Sequence, residues 1–367
     1  MKISRIGRFA AIAAVGTIAL TACGSDNATG EAGTGSSSAG ADVKGTLSGV
    51  GSSAQQAAMT QWQTDFQSDN SGANVQYSPD GSGAGRKAFL SGGANFAGSD
   101  AHLDDDEYNQ AKDQCGPDGA MDIPVYVSPI AVAFNVKGVD SLNLDPATIA
   151  KIFKGEISTW NDPEIKKQNE DAKLPDTPIN VVHRSDNSGT TENFTEYLSK
   201  ASGGAWDKEP SGDWPSDFKG EANKGTSGVV STTQSTDGAI TYADESAVGD
   251  LSTAKVKDGD DYVKVSADSA AKAVEQSDKV QGRGEHDMSL ELNRTPNDGS
   301  YPIVLVSYHV VCSAYKDQET ADLVKAFENY VVSEDGQKSA ASAAKSAVLP
   351  ESMREDAKKA IDSITTK

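Results

Sequence analysis

The stretch Val181-Val182-His183-Arg184-Ser185-Asp186-Asn187-Ser188-Gly189-Thr190-Thr191 constrains the fold most. An apolar, strand-like run ends in a loop with a single arginine. Ser-Gly-Thr follows, and then a helix-like segment through Phe194, Tyr197 and Leu198. A strand feeding a helix through a short loop belongs to an α/β sheet. The junction also carries chemistry. The N–H groups of a first helical turn lack intrahelical partners, and the positive end of the helix dipole lies with them, so an oxyanion can sit there. Arg184 adds a planar fork of donors suited to the paired oxygens of a tetrahedral anion.

The same design recurs. Residues 45–50 read as a strand, followed by Gly51-Ser52-Ser53 and a helix-like run over 54–66. Residues 74–77 read as a strand, followed by Asp80-Gly81-Ser82-Gly83-Ala84-Gly85 and a helix-like run over 86–90. A third strand end, 95–98, leads into Ser99-Asp100. The alternation predicts a sheet of parallel strands with helices between them. Further along, 123–136 is a long apolar run containing Pro124 and Pro129. Residues 144–160 read as helical, 179–182 as a buried-type strand, 200–228 as a loop with short elements and 238–242 as a short strand. Residues 301–312 read as a long strand with alternation at Val304, Val306, Tyr308 and Val310, and two helical segments follow, near 318–333 and 351–363. Two long apolar strands therefore bracket a middle block. This predicts a chain that leaves one lobe and returns through extended crossovers, with a hinge between two lobes and a ligand held there.

At each junction small hydroxyl residues stand where helix N–H groups are unsatisfied, and glycine lets backbone approach a bound oxygen closely. Ordinary N-capping accounts for any one junction taken alone. Three of them together with Arg184 point to an anion site. Asp100 sharpens the reading, because a carboxylate beside an anion repels it unless the anion carries a proton to donate. Phosphate near neutral pH carries one or two protons and sulfate none, so an acceptor-only aspartate among donors would select phosphate. An N-cap or a salt bridge is the alternative for Asp100. Asp186 either orients the Arg184 guanidinium as a supporting partner or caps the following helix.

The beginning of the chain reads as an export leader over 1–22. Lys2, Arg5 and Arg8 precede a short apolar run from Phe9 to Leu20, and Leu20-Thr21-Ala22-Cys23 resembles a bacterial lipobox with Cys23 as the lipid-bearing residue. The apolar run is shorter than the roughly 20 residues a membrane span needs. Residues 24–41 are mostly Gly, Ser, Ala and Thr with almost no large apolar side chain, so 23–44 is expected to be a lipidated flexible tether. The chain holds 54 acidic against 33 basic residues, a formal charge of −21. That excess speaks against nucleic acid and anionic headgroups as partners. It does not exclude a small anion, because salt screens the long-range field beyond roughly 8–10 Å while short bonds in a dry cleft persist. Beyond Cys23 only Cys115 and Cys312 remain. An even pair outside the membrane favours a disulfide, with two free buried thiols as the alternative.

These segments resemble the PstS family, the phosphate-binding proteins of the high-affinity bacterial phosphate ABC transporter. Leu47-Ser48-Gly49-Val50-Gly51-Ser52-Ser53 resembles the family's opening strand and first phosphate loop. Residues 80–85 resemble the second loop, Phe96-Ala97-Gly98-Ser99-Asp100-Ala101 the aspartate loop, and Arg184 through Thr190 the third phosphate loop. Ile152-Phe153-Lys154-Gly155, Trp160-Asn161-Asp162-Pro163 and Gly238-Ala239-Ile240-Thr241-Tyr242 are similar to further family segments. The resemblance implies the two-lobed α/β periplasmic-binding-protein type II fold with two crossover strands as the hinge, lobe I being 45–133 plus 303–367 and lobe II 134–302. It implies phosphate binding by Ser53, Ala54, Ser82, Asp100, Arg184, Ser188, Gly189 and Thr190. Ser53 stands in place of a frequent threonine and Ala54 in place of a common aromatic residue. His183 stands where a second basic residue is often found.

The expected role is therefore extracytoplasmic capture of inorganic phosphate and its delivery to the transmembrane subunits of an ABC permease with a cytoplasmic ATPase. The protein would be held to the outer face of the membrane through Cys23, with no cofactor, metal or nucleic acid. A lipid-anchored phosphohydrolase is the rival reading, since Ser52, Ser53, Ser82 and Ser188 are nucleophile types and Arg184 could stabilise a transferring phosphoryl group. Only four histidines exist, however, and no HExxH or GxSxG pattern occurs. A binder of another tetrahedral oxyanion is the second rival, which Asp100 opposes.

Overall fold

The computed structural model describes residues 43–367. The export leader, Cys23 and the tether over 24–41 lie outside the described residues. The strands are β1 (Gly45–Gly51), β2 (Ala73–Ser78), β3 (Phe96–Ser99), β4 (Ala120–Asn135), β5 (Ser141–Leu144), β6 (Asn180–Arg184), β7 (Glu221–Asn223), β8 (Ala239–Asp244), β9 (Ser252–Asp258), β10 (Asp261–Val263), β11 (Asp278–Lys279), β12 (Leu290–Glu291) and β13 (Val304–Cys312). The helices are α1 (Gln56–Asp69), α2 (Ser82–Leu90), α3 (Asp105–Cys115), α4 (Pro146–Lys154), α5 (Pro163–Gln168), α6 (Gly189–Ala201), α7 (Gly225–Ser235), α8 (Ala267–Glu275), α9 (Gln318–Val331), α10 (Glu334–Ala344) and α11 (Glu351–Asp362).

The main sheet runs β2-β1-β3-β13-β4-β8-β6-β7. Both outer thirds are parallel: β1 pairs with β2 and β3, and β6 with β7 and β8. The middle is not. β13 runs antiparallel to β3 and β4, and β4 runs antiparallel to β8. The all-parallel expectation is thus corrected: a chain that crosses between two lobes and comes back must reverse direction at the seam. β4 makes the crossing within one strand, since residues 120–129 pair with β13 and residues 130–135 with β8. The result is a two-lobed α/β fold joined by crossover strands.

Burial explains why these crossovers form. Every residue of β13 is buried, and so is every residue of β4 before Asn135. Helices cover both faces, so a continuous apolar run, rather than an alternating one, suits the strands. The alternation read in 301–312 therefore does not mark a solvent face. The helix expected over 144–160 is shorter, from Pro146 to Lys154. Leu144 ends β5, Asp145 caps the helix through Thr148 N, and Gly155 closes it in a left-handed conformation. The loop expected over 200–228 contains β7 and the start of α7. Three helices rather than two follow β13, because Ser333 caps a separate α10.

Cys115 and Cys312 form a disulfide, with an S–S distance of 2.05 Å and Cα atoms 4.7 Å apart. It ties the end of α3 to the end of β13. Among the described residues no helix is long and apolar enough to cross a membrane.

Candidate functional site

Four elements deliver the predicted residues to one place. β1 ends at Gly51, and the Ser52-Ser53-Ala54 loop leads toward α1. α2 begins at Ser82, β3 hands over to Asp100, and β6 ends at Arg184 before the loop into α6. The parallel strands β1 and β3 lie side by side, so their carboxyl ends bring the first loop and Asp100 together. This is where open α/β sheets place their ligands.

Asp100 is the centre. Only 2% of its surface is exposed, and its carboxylate accepts from Ser52 Oγ (2.6 Å) and Thr190 Oγ1 (3.2 Å) at Oδ2 and from Ser307 Oγ (2.6 Å) at Oδ1. Its backbone N–H donates to Ser82 Oγ at 3.1 Å, and its carbonyl accepts from Asn193 Nδ2 at 2.6 Å. Burial pushes the carboxyl's pKa up, while Ser307, Ser52, the charge of Arg184 and Thr190 pull against it. Thr190 and Asn193 stand on α6, 90 and 93 residues further along the chain, so segments distant in sequence meet at this residue. Gly189 shows how tightly: a Cβ there would lie 2.7 Å from both Asp100 Cβ and Ser82 Oγ, so only glycine permits the approach.

Arg184 is 3% exposed and bound by Asp186, with Nε donating to Oδ1 at 2.8 Å and Nη2 to Oδ2. Burial opposes the charge on Asp186, yet the bonds and charge of Arg184 outweigh it and hold the carboxyl below its usual range. Asp186 also accepts from Gly225 N at 3.0 Å. It is Ser188, not Asp186, whose side chain caps α6, through Thr191 N. The two roles open for Asp186 are thereby separated: it grips the guanidinium.

Ser53 Oγ lies 3.0 Å from Thr226 Oγ1 and accepts from Thr226 N at 3.1 Å. Ala54 donates its N–H to Ser52 Oγ, so Ser52 holds this loop against Asp100. Ser82, Gly189 and Thr190 therefore gather directly on Asp100, whereas Ser53 bonds Thr226, Ser188 bonds Thr191 N, and Arg184 is joined to the Ser53 side through Asp186 and Gly225 N. His183 lies apart from these hydroxyls. Its Nδ1 contacts Arg184 O and its ring stacks on Trp214, and burial lowers its pKa.

Sequence reasoning missed several members. Thr226, at the start of α7, supplies a fourth loop–helix junction of the same composition, Gly225-Thr226-Ser227-Gly228. Ser307 approaches from β13, and Tyr242 Oη supports the third loop by accepting from Arg184 N and pairing with Thr191 Oγ1. Beside Asp100 opens a cavity of about 290 Å³, bordered by Glu192, Glu196 and Glu291 as well as Lys200 and Arg294. Arg294 is committed to Glu196 and Asn193. Lys200 is paired with Glu196 as well, so the three carboxylates make this cavity a poor anion site.

A family profile described as a PBP superfamily domain matches residues 36–335. Among curated relatives, Phosphate-binding protein PstS2 of Mycobacterium bovis is 41% identical over 341 residues, covering 89% of this chain and 90% of that one. Phosphate-binding protein PstS 3 of Mycobacterium leprae is likewise 41% identical with the same coverage. A solved phosphate-binding protein from Stenotrophomonas maltophilia superposes with a TM-score of 0.66 at 20% identity, over 86% of this chain and 93% of that one, a likeness of fold. The chain belongs to the PBP superfamily and, within it, to the family of PstS phosphate-binding proteins.

Proposed function

We propose that this chain binds inorganic phosphate and passes it to an ABC permease with its cytoplasmic ATPase. One observation carries the reading: a buried aspartate, an acceptor, stands among hydroxyl and N–H donors and within range of a buried arginine. An anion bearing a proton satisfies both halves of that arrangement, and a fully deprotonated one does not. Ser53, Ser82, Arg184, Ser188 and the backbone N–H groups of Ala54, Gly189 and Thr190 are the donors in this reading, Asp100 accepts the ligand's proton, and Asp186 holds the guanidinium. Family membership supports it, as do relatives named for phosphate binding.

The lobes are 45–133 with 303–367, and 134–302. The switch of β4 from β13 to β8 near Pro129 supports this division. Binding and release are a hinge motion about the crossover strands. The protein works outside the membrane, anchored by a lipid on Cys23, and performs no covalent step. The site serines bond to Asp100, to Thr226 and to backbone groups, and His183 faces a carbonyl and Trp214. No serine–histidine pair of the kind that activates a hydroxyl is present among these contacts.

Isothermal titration of the soluble body with phosphate, combined with an assay for phosphomonoester turnover, tests the proposal. One equivalent of phosphate bound and no product released is the expected outcome. Turnover of the ester, or equal affinity for sulfate, would overturn it.

A further inference from the structure

The discriminating aspartate does not stand alone: the crossover strand reaches it. β13 runs antiparallel to β3 with Tyr308 opposite Ser99, so the next step of the ladder sets Ser307 against Asp100. A register shift in the β13–β4 pairing falls between Ser307 and Tyr308. Irregularities of this kind re-aim side chains. Pro124 pairs opposite Tyr308 at the same point, where the ladder is already interrupted and a missing N–H matters least. Ser307 is fully buried, and its Oγ lies 2.6 Å from Asp100 Oδ1.

The direction of that hydrogen bond follows from its neighbours. The carbonyl of Tyr308 can only accept, so the Gln55 amide must present its nitrogen there, at 3.2 Å. The second hydrogen of the same nitrogen goes to Ser307 Oγ at 2.6 Å. Ser307 has one hydroxyl hydrogen and already accepts from Gln55, so that hydrogen is free for Asp100. Ser52 and Thr190 donate to the other carboxylate oxygen. Three hydroxyl donors on one buried carboxyl favour its ionised, accepting form.

We propose that Ser307, aimed by Gln55, is a positioning residue that keeps Asp100 an acceptor toward the proton of the bound anion. The crossover strand thereby takes part in telling protonated from unprotonated oxyanions. This rests on the phosphate reading above and adds to it a determinant outside the three phosphate loops.

Other charged groups face Asp100 as well. Arg184 from β6 favours its ionised form, Asp244 at the end of β8 is a like charge, and Tyr77 from β2 is a half-buried phenol. Burial works against ionisation, with Ser307 the largest of the opposing influences. Removing the Ser307 hydroxyl leaves the others in place and lets Asp100 take up a proton at higher pH. A protonated Asp100 becomes a donor, which sulfate can use.

The test is calorimetric titration of the parent chain, Ser307→Ala and Ser307→Cys with phosphate and with sulfate, from acid to neutral pH. In Ser307→Ala, phosphate affinity near neutral pH should fall roughly tenfold. Its acid limb should move to higher pH, and sulfate should compete where the parent ignores it. Ser307→Cys, of similar size but with a weaker donor, should shift the same way by less, and it serves if the alanine variant folds poorly. A folded Ser307→Ala protein with the parent's acid limb and phosphate-to-sulfate ratio overturns the role of Ser307. Equal weakening toward both anions at every pH does so too. Failure of the parent itself to bind phosphate removes the underlying reading and this inference with it, so the two failures are distinguishable.

Discussion

Replacing Asp100 by Asn changes one atom in size terms and reverses the chemistry of the site. The side chain is buried and held from both oxygens, so the amide should occupy the same volume. Ser307, or else Ser52 and Thr190, can rotate a hydroxyl to accept from the new NH2 group. The fold should therefore survive. Phosphate loses an ionised acceptor for its proton, worth about 1.5–3 kcal/mol, or roughly 10- to 100-fold in affinity. Sulfate gains. In the parent, a sulfate oxygen about 3 Å from the carboxylate meets repulsion of about 5 kcal/mol at an effective dielectric constant near 20, and the amide removes it. The phosphate-to-sulfate preference should thus collapse by about five orders of magnitude, most of it from tighter sulfate binding. Titration calorimetry with each anion measures both affinities, and a thermal melt checks the fold. An Asp100→Asn protein that melts like the parent and keeps its discrimination would refute the proton-acceptor argument.

Arg184→Ala should abolish measurable phosphate binding in the same titration. It should also destabilise the protein by about 1–3 kcal/mol in denaturant melts, because the partly buried Asp186 keeps only the Gly225 N–H and loses its cation. Cys115→Ser opens a covalent link between residues 197 positions apart; it should lower stability by about 2–5 kcal/mol without altering phosphate affinity, as thermal melts and titration will show. Asp244 lies fully buried beside Tyr126 and Ser246, and burial raises its pKa to about 6, against the opposing bonds of Ser246. Its folded pKa exceeds its unfolded value, so its contribution to stability is complete below about pH 4 and is lost as pH rises through about 6. The loss amounts to about 3 kcal/mol. Asp244→Asn should flatten the stability–pH curve over that window, and an unchanged curve would contradict the assignment.

The loops were legible because each follows an apolar strand and combines glycine with hydroxyl residues, a local signal. Arg184 and Asp186 stand two residues apart, so their pairing is local too. What escaped is non-local. Thr226 follows β7, which is short, polar and largely exposed, so no apolar run announces the junction. Ser307 lies in a strand buried on both faces, where a serine looks like a tolerated interruption, and its partner Asp100 is 207 residues away. Gln55 reads as the start of an ordinary amphipathic helix, yet it is fully buried and sets the direction of the Ser307 bond. The mixed sheet escaped for the same reason. Strand direction at the seam depends on where the chain returns, which local alternation of strand and helix does not encode.

The most direct test of the central claim is a crystal structure of the chain soaked with or grown in phosphate. The account predicts one phosphate between the lobes, its oxygens about 2.6–3.2 Å from Arg184, Ser53, Ser82 and the Ser188-Gly189-Thr190 loop, and one oxygen also within that range of an Asp100 carboxylate oxygen. Phosphate lodged elsewhere, for instance beside Lys200 and Arg294, or held in the cage without touching Asp100, would contradict it.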